Sequence, residues 1–133
     1  MILRSNRFHG HGSLRYLYTR GKTVRSNQLS LRYITNGRRN TWRMAVVVSK
    51  KVHKSAVVRN RIRRRLYEIV RLNQDKITDP YDIALIIFSP LIAELEPKKL
   101  EDLIIDLFEK AGIFNKTKEN NQNEHVKIVK KDS

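Results

Sequence analysis

The chain has 133 residues, with 28 Lys+Arg against 13 Asp+Glu, a formal net charge of +15 and no cysteine. That length suits one domain with a sizeable core, and the lack of cysteine excludes disulfides, a thiolate nucleophile and finger-type zinc sites, making the cytoplasm the expected compartment. The charge is uneven: residues 1–78 hold 20 of the basic residues and two of the acids, whereas residues 79–111 hold three and eight, so a polyanionic partner is expected to meet the first half.

Residues 1–12 are basic, short of apolar side chains and without the apolar stretch of a signal peptide. The longest apolar run, residues 83–88, is far too short to span a bilayer, so a soluble protein with no membrane partner is expected. Ser13 is placed to cap a short helix through Leu14, Leu17 and Tyr18, with Gly21 as a left-handed stop. Alternation then sets in: Leu29, Leu31 and Tyr33 alternate with Ser30, Arg32 and Ile34, the period of a strand. Asn36-Gly37 opens a basic turn, and a second strand is predicted over residues 42–49 around the β-branched MAVVV centre. The simplest pairing of these two strands is an antiparallel hairpin. A polar connection leads to a helix over residues 56–73, and a third strand follows over 81–88, whose nearly continuous apolar run suits the interior of a sheet. Pro97 then occupies the first turn of a last helix over 98–111, with Leu100, Leu103, Ile104 and Leu107 as its buried stripe and Gly112 as its stop. The folded domain is expected over residues 1–114, and residues 115–133, rich in Asn, Lys and Glu, read as a disordered polar tail.

The central helix carries the signal. Between Arg59 and Arg71 it has six arginines and one acid, Glu68, while Val58, Ile62, Leu66, Ile69 and Val70 recur with helical period. Those five fall within an arc of roughly 120°, and the opposite arc carries Asn60, Arg61, Arg63, Arg64, Tyr67 and Arg71. Arg59 with Arg63, and Arg61 with Arg65, are repulsive pairs at i,i+4. A solvated helix normally mixes signs at that spacing, so a partner outside the helix is expected to offset the repulsion, and a polyanion fits.

Other chemistry is poorly supported. His9, His11, His53 and His125 show no metal-ligand spacing. The carboxylates Glu101, Asp102, Asp106 and Glu109 form the solvated face of the last helix, and Gly10 and Gly12 lack the following residues of a phosphate loop. Tyr16, Tyr18 and Tyr33 lie near the basic surface, where rings stack on unpaired bases, although most aromatics at such spacing are core. A ribosomal or RNA-chaperone protein would share this composition, and so would a DNA-binding regulator, although a recognition helix normally mixes Asn, Gln and Ser with its arginines.

The string SKKVHKSAVVRNRIRRRLYEIVR, residues 49–71, resembles the signature of the bacterial ribonuclease P protein component: a strand ending in a lysine pair, then a helix opening with Arg-Asn-Arg. The order of elements is similar to that family over residues 4–111. The resemblance implies an α+β fold, an α/β sandwich: a short N-terminal helix, a small and mostly antiparallel sheet of about three to four strands, a long basic helix in a left-handed β-α-β crossover, and a C-terminal helix. It further implies the protein subunit of a ribonucleoprotein endonuclease. In that enzyme a catalytic RNA subunit, one per protein, removes the 5′ leader of precursor tRNA with Mg2+ held mainly by RNA, and the protein raises substrate affinity and lowers the magnesium requirement. Carried onto this chain, Arg59, Asn60, Arg61, Arg63 and Arg64 should contact RNA, with Lys50, Lys51 and Arg71, and the 5′-leader cleft should draw on Leu14, Tyr18 and Arg32. There are departures. Leu14 stands where an aromatic is common, Tyr67 replaces a basic ridge residue, and Arg65 sits near the apolar stripe where a hydrophobe is usual. The expectation is that Arg65 snorkels to the same RNA surface, exchanging places functionally with Tyr67, so that both count among the RNA-binding residues.

Overall fold

The structure, a computed structural model, describes residues 11–115, with side chains from residue 14 onward. The elements run α1 (His11–Arg20), β1 (Lys22–Arg25), β2 (Leu29–Thr35), β3 (Arg43–Val48), α2 (Ala56–Leu72), β4 (Tyr81–Ile87) and α3 (Pro97–Lys110). Short 3-10 turns occupy Gln74–Lys76 and Pro90–Glu94. The tail expected beyond residue 115 lies outside the described residues. Asn115 itself is tied down, donating its backbone N–H to the Lys76 carbonyl at 2.7 Å and its side-chain amide to the Thr78 hydroxyl.

The four strands form one mixed sheet in the order β1-β2-β4-β3. β1 pairs antiparallel with β2, β2 antiparallel with β4, and β3 parallel with β4. The hairpin expected between the strands at 29–34 and 42–49 therefore does not form, because β4 lies between them. The physical reason is apolarity on both faces: Ile83, Leu85 and Ile87 point one way and Ala84 and Ile86 the other, which demands an interior position. The connection over residues 36–42 is long enough to bridge the roughly 10 Å of two strand spacings. β1, a polar four-residue strand, was not anticipated.

α2 and α3 cover one sheet face. Ile62, Leu66, Ile69 and Val70 of α2 and Leu100, Ile104, Leu107 and Phe108 of α3 join Leu31, Met44, Val46, Ile83 and Leu85 in a single buried cluster. α1 covers part of the other face, where Leu17 packs on the small side chains Ala45 and Ala84 with Leu14, Ile34 and Ile86 at the margin. The end of α1 differs from the expected left-handed stop. Among the described residues only Gly112 has positive φ, at 78°. Gly21 is needed instead for close approach, since a Cβ there would meet the Leu17 carbonyl oxygen at 2.5 Å. Ser13 lies within α1 and does not precede it. Among the described residues, no helix is long and apolar enough to cross a membrane.

Candidate nucleic-acid interface

α2 begins where Ser55 accepts the Val58 N–H on its hydroxyl at 3.3 Å. Its buried stripe faces the sheet, so the remaining positions form an outward ridge with Asn60, Arg61 and Arg64 exposed and Arg59, Arg63, Arg65, Tyr67 and Arg71 half-buried. Lys50, Lys51 and Lys54 extend the exposed charge along the connection before the helix.

The like-charge spacing of the arginines is offset inside the protein to a degree that the sequence did not reveal. Arg59 donates to the carbonyls of His53 and Lys54 at 2.8 and 3.0 Å, fastening the connection to the first turn. Arg63 donates to Asn60 Oδ1 at 2.7 Å and more weakly to the Val48 carbonyl at 3.4 Å. Arg61 donates to the Ala93 carbonyl at 2.8 Å. Arg65, expected to snorkel toward the RNA side, instead turns to the carbonyls of Ile92 and Ala93, at 3.1 and 3.0 Å, and of Leu95. Burial, and then the neighbouring Arg61 charge, hold the Arg65 pKa below the ordinary guanidinium value. Together Arg61 and Arg65 satisfy the open carbonyls at the end of the 90–94 turn. Tyr67 contacts the Met44 carbonyl from its hydroxyl at 3.4 Å.

Arg71 forks onto Glu68 with contacts of 2.9 and 2.6 Å, and this hydrogen-bonded pairing lowers the Glu68 pKa to about 2. The one acid of the ridge is thereby neutralised. Among the described residues Arg64 is the α2 arginine with no polar partner, and it is fully outward. A guanidinium has five N–H donors, so Arg61 and Arg63 keep several after their internal bonds. Carbonyl dipoles orient these side chains without cancelling their charge.

On the other sheet face, Arg32 is less available than its alternating position suggested. It donates to the Thr23 hydroxyl at 2.8 Å and to the carbonyls of Leu17, Tyr18 and Gly21, and so closes the C-terminal end of α1 against β2. Tyr18 stands beside it, its hydroxyl pKa raised by burial and partly lowered again by Arg32. Leu14 is half-buried at the same flank of α1. The structure therefore brings Leu14, Tyr18 and Arg32 together, with Arg32 as a strut.

Two residues on this face were missed. Phe88, 41% exposed, follows β4 and lies under the Arg25 guanidinium, 5.2 Å from the ring centroid. Phe88 ends an apolar run and so reads as core, and Arg25 belongs to the unanticipated β1. Tyr33 packs edge-on to Tyr81 at 6.2 Å on the face covered by α2 and α3, away from Tyr16 and Tyr18.

The three layers, the small mixed sheet and the basic crossover helix define an α+β architecture that solved structures share. It resembles the ribonuclease P protein of Staphylococcus aureus, with a TM-score of 0.74 and 23% identity over 83% of this chain and 98% of that one. It also resembles the Thermotoga maritima protein, with a TM-score of 0.70 and 22% identity over 78% and 96%. In sequence, a family model described as Ribonuclease P matches residues 2–112. The ribonuclease P protein component of Clostridium botulinum (strain Loch Maree / Type A3) is 40% identical over 114 residues, 85% of this chain and 100% of that protein. That of Alkaliphilus oremlandii is 34% identical over 110 residues, 83% and 94% respectively. The chain belongs to the ribonuclease P protein family, a component of the nuclease machinery of tRNA processing.

Proposed function

We propose that this chain is the cytoplasmic protein subunit, one per RNA, of a ribonucleoprotein in which a catalytic RNA removes the 5′ leader of precursor tRNA. The protein binds that RNA along the α2 ridge and the single-stranded leader in the cleft between α1 and the sheet. The observation that carries this reading is the ridge within a family-wide match: outward cations held by carbonyl dipoles, with the single acid of α2 already paired. Lys50, Lys51, Asn60, Arg61, Arg63, Arg64 and Arg71 face the RNA, and Arg59, Arg65 and Tyr67 hold the ridge from beneath. In the cleft, Tyr18 and Leu14 line one wall and Arg32 sets its angle.

Two polyanions must be held close together, and a strongly cationic half-domain between them lowers their mutual repulsion. This is how the protein raises substrate affinity and lowers the magnesium requirement. Magnesium belongs to the RNA subunit and substrate in this reading. With about four phosphate contacts, a fourfold rise in salt weakens RNA binding by roughly two orders of magnitude.

The test is cleavage of a leader-bearing precursor tRNA by the cognate catalytic RNA at low magnesium, with and without this protein. Strong stimulation is expected, and it should fall when Arg61 and Arg64 are both changed to Ala in a protein that still melts cooperatively. If stimulation is absent while the chain still binds RNA, the reading fails.

A further inference from the structure

α1 divides its face of the sheet in two. Leu17 points inward, and Tyr16 and Tyr18, about 200° apart on the helix, fall on opposite flanks. The leader cleft lies on the Tyr18 flank. On the Tyr16 flank is a separate recess of about 460 Å³, lined by Tyr16, Ile34 and the turn over 35–38, with Arg43 and Asp82 at its floor.

We propose that this recess is a second binding site, for one unstacked nucleotide of a single-stranded RNA, with the base on the Tyr16 ring and the phosphate on Arg38. It goes beyond the leader-cleft reading and rests on it only in taking RNA as the polymer.

The floor is rigid. Asp82 accepts Arg43 Nε on Oδ1 at 2.9 Å, and Arg43 Nη2 and Asn36 Nδ2 on Oδ2 at 2.8 and 2.9 Å. Its side chain is 7% exposed, and the Arg43 fork compensates its charge, which weakens its repulsion of an anion. Asn36 holds the lip as well. Its Oδ1 accepts the Arg38 backbone N–H at 3.1 Å, its own N–H donates to the Pro80 carbonyl at 2.7 Å, and its carbonyl accepts from Arg39 N at 3.1 Å. One amide N–H and one lone pair of Asn36 remain for a base edge.

The wall and rim are built differently. Tyr16 is 58% exposed although its neighbour Leu17 is completely buried, so the fold presents this ring without using it. Arg38 is exposed, and its guanidinium has no partner among the described residues. An aromatic face, an anchored amide and an uncommitted cation around a space of this size match the recognition of a single nucleotide. A paired base inside a duplex cannot offer its face to Tyr16, which selects single strands.

The experiment uses the full chain. AMP is titrated while backbone and ring resonances are followed, and binding of a labelled single-stranded A5 RNA is measured for wild type, Tyr16→Phe, Tyr16→Leu and Arg38→Gln. AMP is expected to shift residues 34–38 and the Tyr16 ring. Tyr16→Phe should bind A5 as wild type does, and Tyr16→Leu, which keeps apolar bulk and loses the π face, about tenfold more weakly. Arg38→Gln should lower the salt slope by about one. The proposal is overturned if AMP shifts only the Tyr18–Phe88 flank, or if Tyr16→Leu binds A5 as tightly as wild type. Two further arms identify the source of the nucleotide. Weaker assembly of Tyr16→Leu with the catalytic RNA assigns it to that RNA, and weaker binding only of precursor tRNA assigns it to the substrate. Failure of the wild type to stimulate cleavage would overturn the ribonucleoprotein reading and leave the A5 result standing.

Discussion

α2 and α3 lie side by side on one sheet face and bury stripes of the same kind, yet they treat surface charge in opposite ways. On α3, Lys98 pairs with Asp102 at 3.2 Å and Lys110 with Asp106 at 3.0 Å, both at i,i+4, and Lys99 approaches Glu96 at 3.9 Å. These are exposed pairs that cancel each other's field and add little stability. On α2, Glu68 is the single acid, and most arginines are held by carbonyl oxygens. A carboxylate orients a guanidinium and cancels its charge, whereas a carbonyl only orients it. α3 spends its lysines on its own acids and keeps a small excess of negative charge, whereas α2 remains a positively charged, pre-shaped surface.

The largest effects should be alike in the two helices. Ile62→Ala and Ile104→Ala each remove a fully buried side chain and should cost about 3 kcal/mol, read from denaturant midpoints. A severalfold difference between them would show that the helices do not share one core. Next in size is Arg65→Ala, which leaves the carbonyls of the 92–95 stretch without their donor and should cost about 1–2 kcal/mol. An unchanged midpoint would mean that the carbonyl clamp adds nothing to stability.

Surface changes should separate the helices. Arg64→Ala and Lys98→Ala should each alter stability by less than about 0.5 kcal/mol. Only Arg64→Ala should lower the salt slope of RNA binding, by about one. The smallest effect is that of Glu68. Its pKa is depressed from the ordinary 4.5 to about 2 by the Arg71 hydrogen bonds, so its contribution is present above about pH 4.5 and lost as pH falls toward 2. The stability difference between wild type and Glu68→Gln should shrink across that window, and a constant difference from pH 6 to pH 2.5 would show that the pair is not linked to folding.

Local pattern revealed much of this fold. The α2 stripe, the apolar β4 run and the Pro97 start and Gly112 stop of α3 all follow from periodicity or backbone chemistry within a few residues, and each is found where those rules place it. Strand order was not legible in the same way. Asn36-Gly37 is a local turn signal, and nothing nearby says that β4 will separate the strands on either side of it. The site divides along the same line. Which residues of α2 face outward can be read from 3.6-residue spacing. That Arg65 meets Leu95, or Arg32 the end of α1, depends on backbone brought from 30 or 11–15 positions away. Tyr16 and Tyr18 look equivalent in sequence, and only the packing of Leu17 sends them to different flanks.

The placement of β4 also has a consequence for synthesis. Leu29 pairs with Ile87 and Arg43 with Asp82, so an interior strand of the sheet is the last of the described strands to leave the ribosome. Until then β2 and β3 have no common neighbour and the apolar side of α2 has an unfinished floor. Folding must wait for these distant pairings, a slow class of event. A nascent fragment ending before residue 81 therefore carries the positive charge of the ridge without its geometry, and the shape that selects among RNAs is acquired only after β4 has been made.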